Sequence, residues 1–349
     1  MHKLHFDPDE SVAEELINSA GRAERRGGVA AAAAFLERAV AMTPDSSERA
    51  SRALDAATAK YAAADFDSVL ALLAIAEVGP LGETGDAHVE RMRAQVAFAL
   101  RRGSDAPPLL LRAAQRLDGL DEELARQTYL EALVACIYAG RFANDEDIAN
   151  IASAARSVLC DISASGPDSA THLQLLFPGL ALRMTDGYVR AAPLLKEALR
   201  RYRSRPHELD WLCVSYDLVA MDLWDDEAWF ELAEGQVRLA RASGTFSWLP
   251  FALDYLAEHQ IQAGELTRAA ALLTESENID PRAREATLPY VPLILAAWRG
   301  DTTTANALSE RMANGSSSRG EGAALTYADY ARAVLYNGLG KYDLAAEAA

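Results

Sequence analysis

The sequence predicts an all-α protein, an α-solenoid of about nine helical hairpins wound as a right-handed superhelix. Three observations carry this. A turn signal recurs about every 38 residues, a period that marks stacked supersecondary units. It stands at Gly27-Gly28, Ala64-Asp65-Phe66, Gly103-Ser104-Asp105, Gly140-Arg141-Phe142, Asp186-Gly187-Tyr188, Asp225-Asp226, Gly264-Glu265, Gly300-Asp301 and Gly340-Lys341-Tyr342. The hydrophobic half of the chain is mostly Ala and Leu, with aromatics at 7%. Such residues favour helices, and Ala lets neighbouring helices approach closely. Runs of β-branched residues bounded by turns, the mark of strands, are missing.

The elements follow in order. The first unit pairs a helix over 10–25 with one over 29–42. Leu16, Ala20 and Ala23 share one face of the former, and Phe35, Leu36, Ala39 and Val40 one face of the latter. Pro44 ends the second helix, because proline cannot continue it and restricts the residue before. The second unit pairs 47–63 with 66–77 and closes at Gly79-Pro80; the third pairs 86–101 with 107–117. Pro107 and Pro108 sit in a first helical turn, where a missing N–H is harmless. The fourth pairs 122–139 with a longer helix over 145–162, which widens the step to the fifth, 169–184 with 188–202. The sixth pairs 207–223 with 227–242, the seventh 248–263 with 266–277, the eighth 282–298 with 302–312. Asn314 to Gly322 is rich in Ser and Gly and predicts a flexible loop. The ninth unit starts near Ala323, and its second helix has barely begun at Ala349. The units thus span about 10–45, 46–80, 85–118, 120–163, 168–203, 206–243, 247–279, 281–313 and 322–349, as one repeat domain. A solenoid end needs a polar cap, and Ala345-Ala346-Glu347-Ala348-Ala349 is apolar, so a fragment of a longer protein is expected.

The formal net charge of −17 disfavours a grip on nucleic acid, which needs clustered Lys and Arg. Solubility is the plain reading of that acidity; recruitment of a basic partner is the sharper one. Cys136, Cys160 and Cys213 are odd in number and far apart, so neither a disulfide framework nor a zinc motif is encoded. Buried thiols in a reducing, cytoplasmic compartment are expected. No apolar run long enough to span a membrane and no signal-peptide core is present.

Motifs for catalysis are missing. Gly340-Lys341 is followed by Tyr342 rather than Ser or Thr, so it makes no phosphate loop. His2, His5, His88, His172, His207 and His259 form no i, i+4 pair. No cofactor, metal or catalytic residue is assigned. The stretch Trp224-Asp225-Asp226-Glu227-Ala228-Trp229-Phe230-Glu231 is the nearest to a glycosidase-like pair of carboxylates beside aromatics. Its position on a turn favours helix capping instead. All five tryptophans, Trp211, Trp224, Trp229, Trp248 and Trp298, fall in units six to eight. Large amphipathic rings serve either the core or a binding surface. The candidate groove residues there are Tyr216, Tyr255, His259 and Tyr290, with Trp211 and Trp248. Tyr255 and His259, at i, i+4, are expected to share a face.

The turns Gly140-Arg141-Phe142-Ala143, Gly187-Tyr188-Val189-Arg190-Ala191 and Gly340-Lys341-Tyr342-Asp343-Leu344-Ala345 resemble those of tetratricopeptide repeats. That resemblance implies a concave face lined by the first helix of each hairpin. Two stretches are more specific. Residues 22–39 with Thr43-Pro44-Asp45, and 106–114 with 125–133 and Ala139-Gly140-Arg141, resemble the central region of large ATP-binding LuxR-family, MalT-like transcriptional regulators of actinobacteria. The resemblance implies a sensor or interaction segment between a P-loop ATPase module and a helix-turn-helix module, neither within this chain. It implies an effector small molecule or protein partner and no direct nucleic-acid contact; a homodimer is a further expectation. The alternatives are a passive scaffold for a peptide or protein and, more remotely, an α/α-toroid glycoside-processing enzyme.

Overall fold

The computed structural model describes residues 7–165, 170–204, 212–243, 248–279 and 288–349. Within them the chain forms eighteen α-helices and one 3-10 turn at Gly140–Phe142, and no strand. In order these are α1 (Glu10–Glu24), α2 (Val29–Met42), α3 (Ser46–Ala62), α4 (Phe66–Ala76), α5 (Gly82–Arg101), α6 (Ala106–Leu117), α7 (Glu122–Ala139), α8 (Asp145–Ser165) and α9 (His172–Thr185). There follow α10 (Tyr188–Arg203), α11 (Leu212–Asp222), α12 (Asp226–Ser243), α13 (Leu249–Gln262), α14 (Leu266–Ile279), α15 (Tyr290–Trp298), α16 (Thr302–Arg319), α17 (Ala323–Gly338) and α18 (Tyr342–Ala348). Trp211 lies outside the described residues.

The repeat is written into the backbone at the turn inside each hairpin. Gly27, Ala64, Arg102, Gly140, Gly187, Trp224, Gly264, Gly300 and Gly340 all have positive φ. This conformation reverses the chain after the first helix, and it favours glycine because a Cβ is strained there. In six of these turns, those at Gly27, Ala64, Trp224, Gly264, Gly300 and Gly340, the next residue closes the helix with an N–H to the carbonyl five positions back. Asp65 reaches Lys60 and Asp225 reaches Ala220, each at 3.0 Å, and Asp301 reaches Ala296 at 3.0 Å. The same three aspartates turn their carboxylates onto the following helix, capping Ser68 (3.3 Å), Ala228 (3.0 Å) and Thr304 (3.1 Å). One residue thus satisfies orphan groups at two helix ends.

Hairpins pack in chain order, α1 on α2, α2 on α3 and onward. The first helices of neighbouring units also meet, as α3 with α5, α7 with α9, α13 with α15 and α15 with α17. Each unit hides its apolar flank on the next, as a solenoid requires. Alanines make the closest seams: Ala53, Ala56 and Ala57 on α3 are fully buried. Burial pushes the Cys136 thiol up to about 12, which leaves it inert as a nucleophile. The 21-residue α8 accounts for the wider step between the fourth and fifth turns.

The loop expected over 314–322 takes a different form. Helix α16 continues to Arg319, and only Gly320 to Gly322 is non-helical. Ser316 is buried and donates its hydroxyl to the Glu321 carbonyl at 2.8 Å. A Cβ on Gly315 would stand 2.3 Å from Leu288 Cδ2. These small residues serve close packing rather than flexibility.

Candidate functional site: the inner neck of the array

Two tyrosines from distant units locate the inside of the array. Tyr138 on α7 and Tyr255 on α13 bring their hydroxyls to 3.2 Å. They belong to the fourth and seventh hairpins, so the stack must curve back with its first helices inward. Arg102, at the end of α5, enters the same space. Its guanidinium lies 5.0 Å from the Tyr138 ring centre and 5.2 Å from that of Phe251, within cation–π range of both. The eighth and ninth units complete the wall. Tyr290 donates to Glu321 at 2.6 Å and Tyr327 to Glu258 at 2.5 Å, and the two rings meet edge-on at 5.1 Å.

Burial dominates the electrostatics here. It holds the carboxyls of Glu258 and Glu321 above the usual range, although each accepts a hydrogen bond from a tyrosine hydroxyl. It likewise raises the Tyr290 and Tyr327 hydroxyls. Two turns nearer the start of α7 than Tyr138, Glu131 is buried against Arg91 and Gln95, and burial raises its carboxyl too. Around Arg102, burial works against the charge, while the Tyr138 and Tyr255 hydroxyls and Glu321 favour it. No described carboxylate is in ion-pair contact with Arg102.

A backbone clasp closes the neck. Ser104 N–H donates to Gly320 O and Gly322 N–H to Ala139 O, both at 3.0 Å. Arg141 reaches Asp329 at 3.1 Å. Glycine makes this approach possible: a Cβ on Gly103 would fall 1.7 Å from Arg319 O, and one on Gly322 2.3 Å from Ala139 O.

The sequence-derived candidates divide. Tyr255 and Tyr290 reach the neck. Tyr216 does not; it is fully buried, stacked on Tyr202 at 3.9 Å, with its hydroxyl 2.8 Å from His172 Nδ1. His259 does not share the face of Tyr255. It is buried against Trp229 and Phe230, with Nε2 3.1 Å from Asp226. Four residues at 100° each turn 40° past a full circle, which sends the two rings to different neighbours. Trp248 is half-buried against Phe251, and its indole N–H is buried without an acceptor. Near Trp224, Asp225 is a helix cap, and Trp224 itself is 93% exposed beside an open, outward-facing depression.

Sequence reading missed Arg102, Tyr138, Glu258, Glu321 and Tyr327. A signal for Arg102 existed, since it occupies the positive-φ turn position that glycine holds in six of nine units.

No family model matches the chain, and no curated protein matches it. Among solved structures it is similar to a Rap protein complexed with competence and sporulation factor. The two align at a TM-score of 0.58 and 11% identity, over 97% of this chain and 96% of that one. That likeness establishes the fold: a tetratricopeptide-like helical array.

Proposed function

We propose that this chain is a non-catalytic binding array whose inner neck takes a short polypeptide segment. The carrying observation is the convergence of Arg102, Tyr138, Phe251, Tyr255 and Tyr290 from four hairpins onto one inward surface. Aromatic rings and a guanidinium are the groups that anchor peptides and dominate binding energy. The similar Rap protein, solved with a bound factor, supports the same reading. A random short-peptide library panned on the whole chain tests it. Capture should vanish in the Tyr138→Ala, Tyr255→Ala double variant and persist in Trp224→Ala, on the outer surface. Capture undiminished in the double variant would reject the neck as the site.

The likeness of residues 22–39 and 106–141 to MalT-like regulators supports a narrower form, in which the bound partner signals to flanking ATPase and DNA-binding modules. Sequencing the reading frame on either side tests that form. Finding no phosphate loop upstream and no helix-turn-helix downstream removes it.

A further inference from the structure

We infer that Arg102 is the receiving group for a carboxylate of the ligand, so the neck selects an anionic end or side chain. This inference rests on the peptide-binding reading and adds a chemical identity to one subsite.

The backbone supplies the first reason. Arg102 adopts φ 50°, ψ 25°, left-handed geometry that disfavours a side chain. Six sister turns use glycine at this position, and the other two exceptions are Ala64 and Trp224. The position therefore admits a side chain at a cost, and the surroundings of Arg102 say what its side chain does with it.

The surroundings supply the second. The guanidinium is sandwiched near Tyr138 and Phe251, which fix its plane without consuming its donors. Arginine has five N–H donors and no acceptor, and its side chain makes no hydrogen bond to a described residue. Glu321 is near enough to influence it, yet turns its Oε1 to Tyr290. Arg102 as a residue is half-buried, and burial penalises its charge.

The third reason lies next to Phe251. Trp248 packs on that ring and keeps an indole N–H buried with no acceptor. Trp248 thus backs the ring that flanks Arg102, and the guanidinium is the donor that a ligand meets in the neck. A planar carboxylate meets a guanidinium with two parallel bonds, the strongest pairing these donors can make.

The test compares two peptide libraries on the whole chain, one with free C-termini and one amidated, each including and omitting Asp and Glu. Wild type should retain acid-bearing peptides, and Arg102→Gly should weaken them about 10- to 100-fold, the worth of a charged hydrogen-bonded pair. Arg102→Gly relieves the backbone, so its melting temperature should not fall, and loss of binding cannot be blamed on unfolding. Arg102→Lys should keep the acid preference with reduced strength. Loss confined to the free-acid library assigns the subsite to a peptide C-terminus; loss in both assigns it to an acidic side chain. Peptides that bind wild type and Arg102→Gly equally, without acid preference, overturn the inference and leave the neck reading standing. Absence of any captured peptide overturns the neck reading and this inference together.

Discussion

Gly103→Ala isolates the clasp. Gly103 lies outside the positive-φ set, so alanine suits its own backbone. The obstacle is across the neck, where the new Cβ would stand 1.7 Å from Arg319 O. A tolerable carbon–oxygen contact is about 3.3 Å, so the two strands of backbone must part by about 1.6 Å. That stretches the 3.0 Å bond from Ser104 to Gly320 beyond hydrogen-bond range, and strains its companion from Gly322 to Ala139. Two backbone bonds at about 0.5–1.5 kcal/mol each, with an exposed ion pair worth at most about 1 kcal/mol, put the closure near 1–4 kcal/mol. Opening is cheaper than unfolding the hairpins, so the array should splay and keep its helices. Small-angle scattering should show a larger radius of gyration, and Gly322 N–H should exchange faster, with helical circular dichroism unchanged. Gly264→Ala is the control: φ is +81° and nothing lies within 4 Å, so it costs about 1–2 kcal/mol of local strain without opening. Unchanged scattering and exchange in Gly103→Ala, or equal changes in Gly264→Ala, would refute the reasoning.

Further expectations concern single groups. Glu258 ionises near 4.5 when unfolded and above that when folded, because burial penalises its charge. The folded chain therefore holds the extra proton in that window, and stability falls as pH rises through it. Glu258→Gln should flatten that part of a melting-temperature profile and raise stability at neutral pH; an unchanged slope would contradict this. Asp45 accepts from Ser47 and Glu48 N–H at 2.9 Å each, so Asp45→Ala should cost about 0.5–2 kcal/mol in urea denaturation. Leu253 is fully buried, and Leu253→Ala should cost about 2–5 kcal/mol by the same measurement.

The array was legible because its signals are local. Each hairpin turn combines a positive-φ residue with a capping or helix-starting neighbour, and Gly300-Asp301 and Trp224-Asp225 show this in sequence as in space. The inner face was legible in part. Tyr255 and Tyr290 sit on first helices and point inward, but Tyr216 and His259 sit on first helices and pack into the core. Which side of a helix meets the axis depends on how neighbours are rotated, and one helix does not encode that. The Ser and Gly content of 314–322 misled, because the same small residues permit both a loop and a tight seam. The clasp left no local trace, since each glycine answers to backbone far along the chain.

The pairing of Arg141 with Asp329 spans 188 residues. Helical stacks otherwise assemble from neighbours and need no such reach. On a ribosome adding about 5–20 residues per second, Arg141 waits roughly 10–40 s for its partner to be made. During that interval the early hairpins are already assembled with their inward rings uncovered. Chaperones therefore meet rings still apart that the finished molecule gathers into one neck.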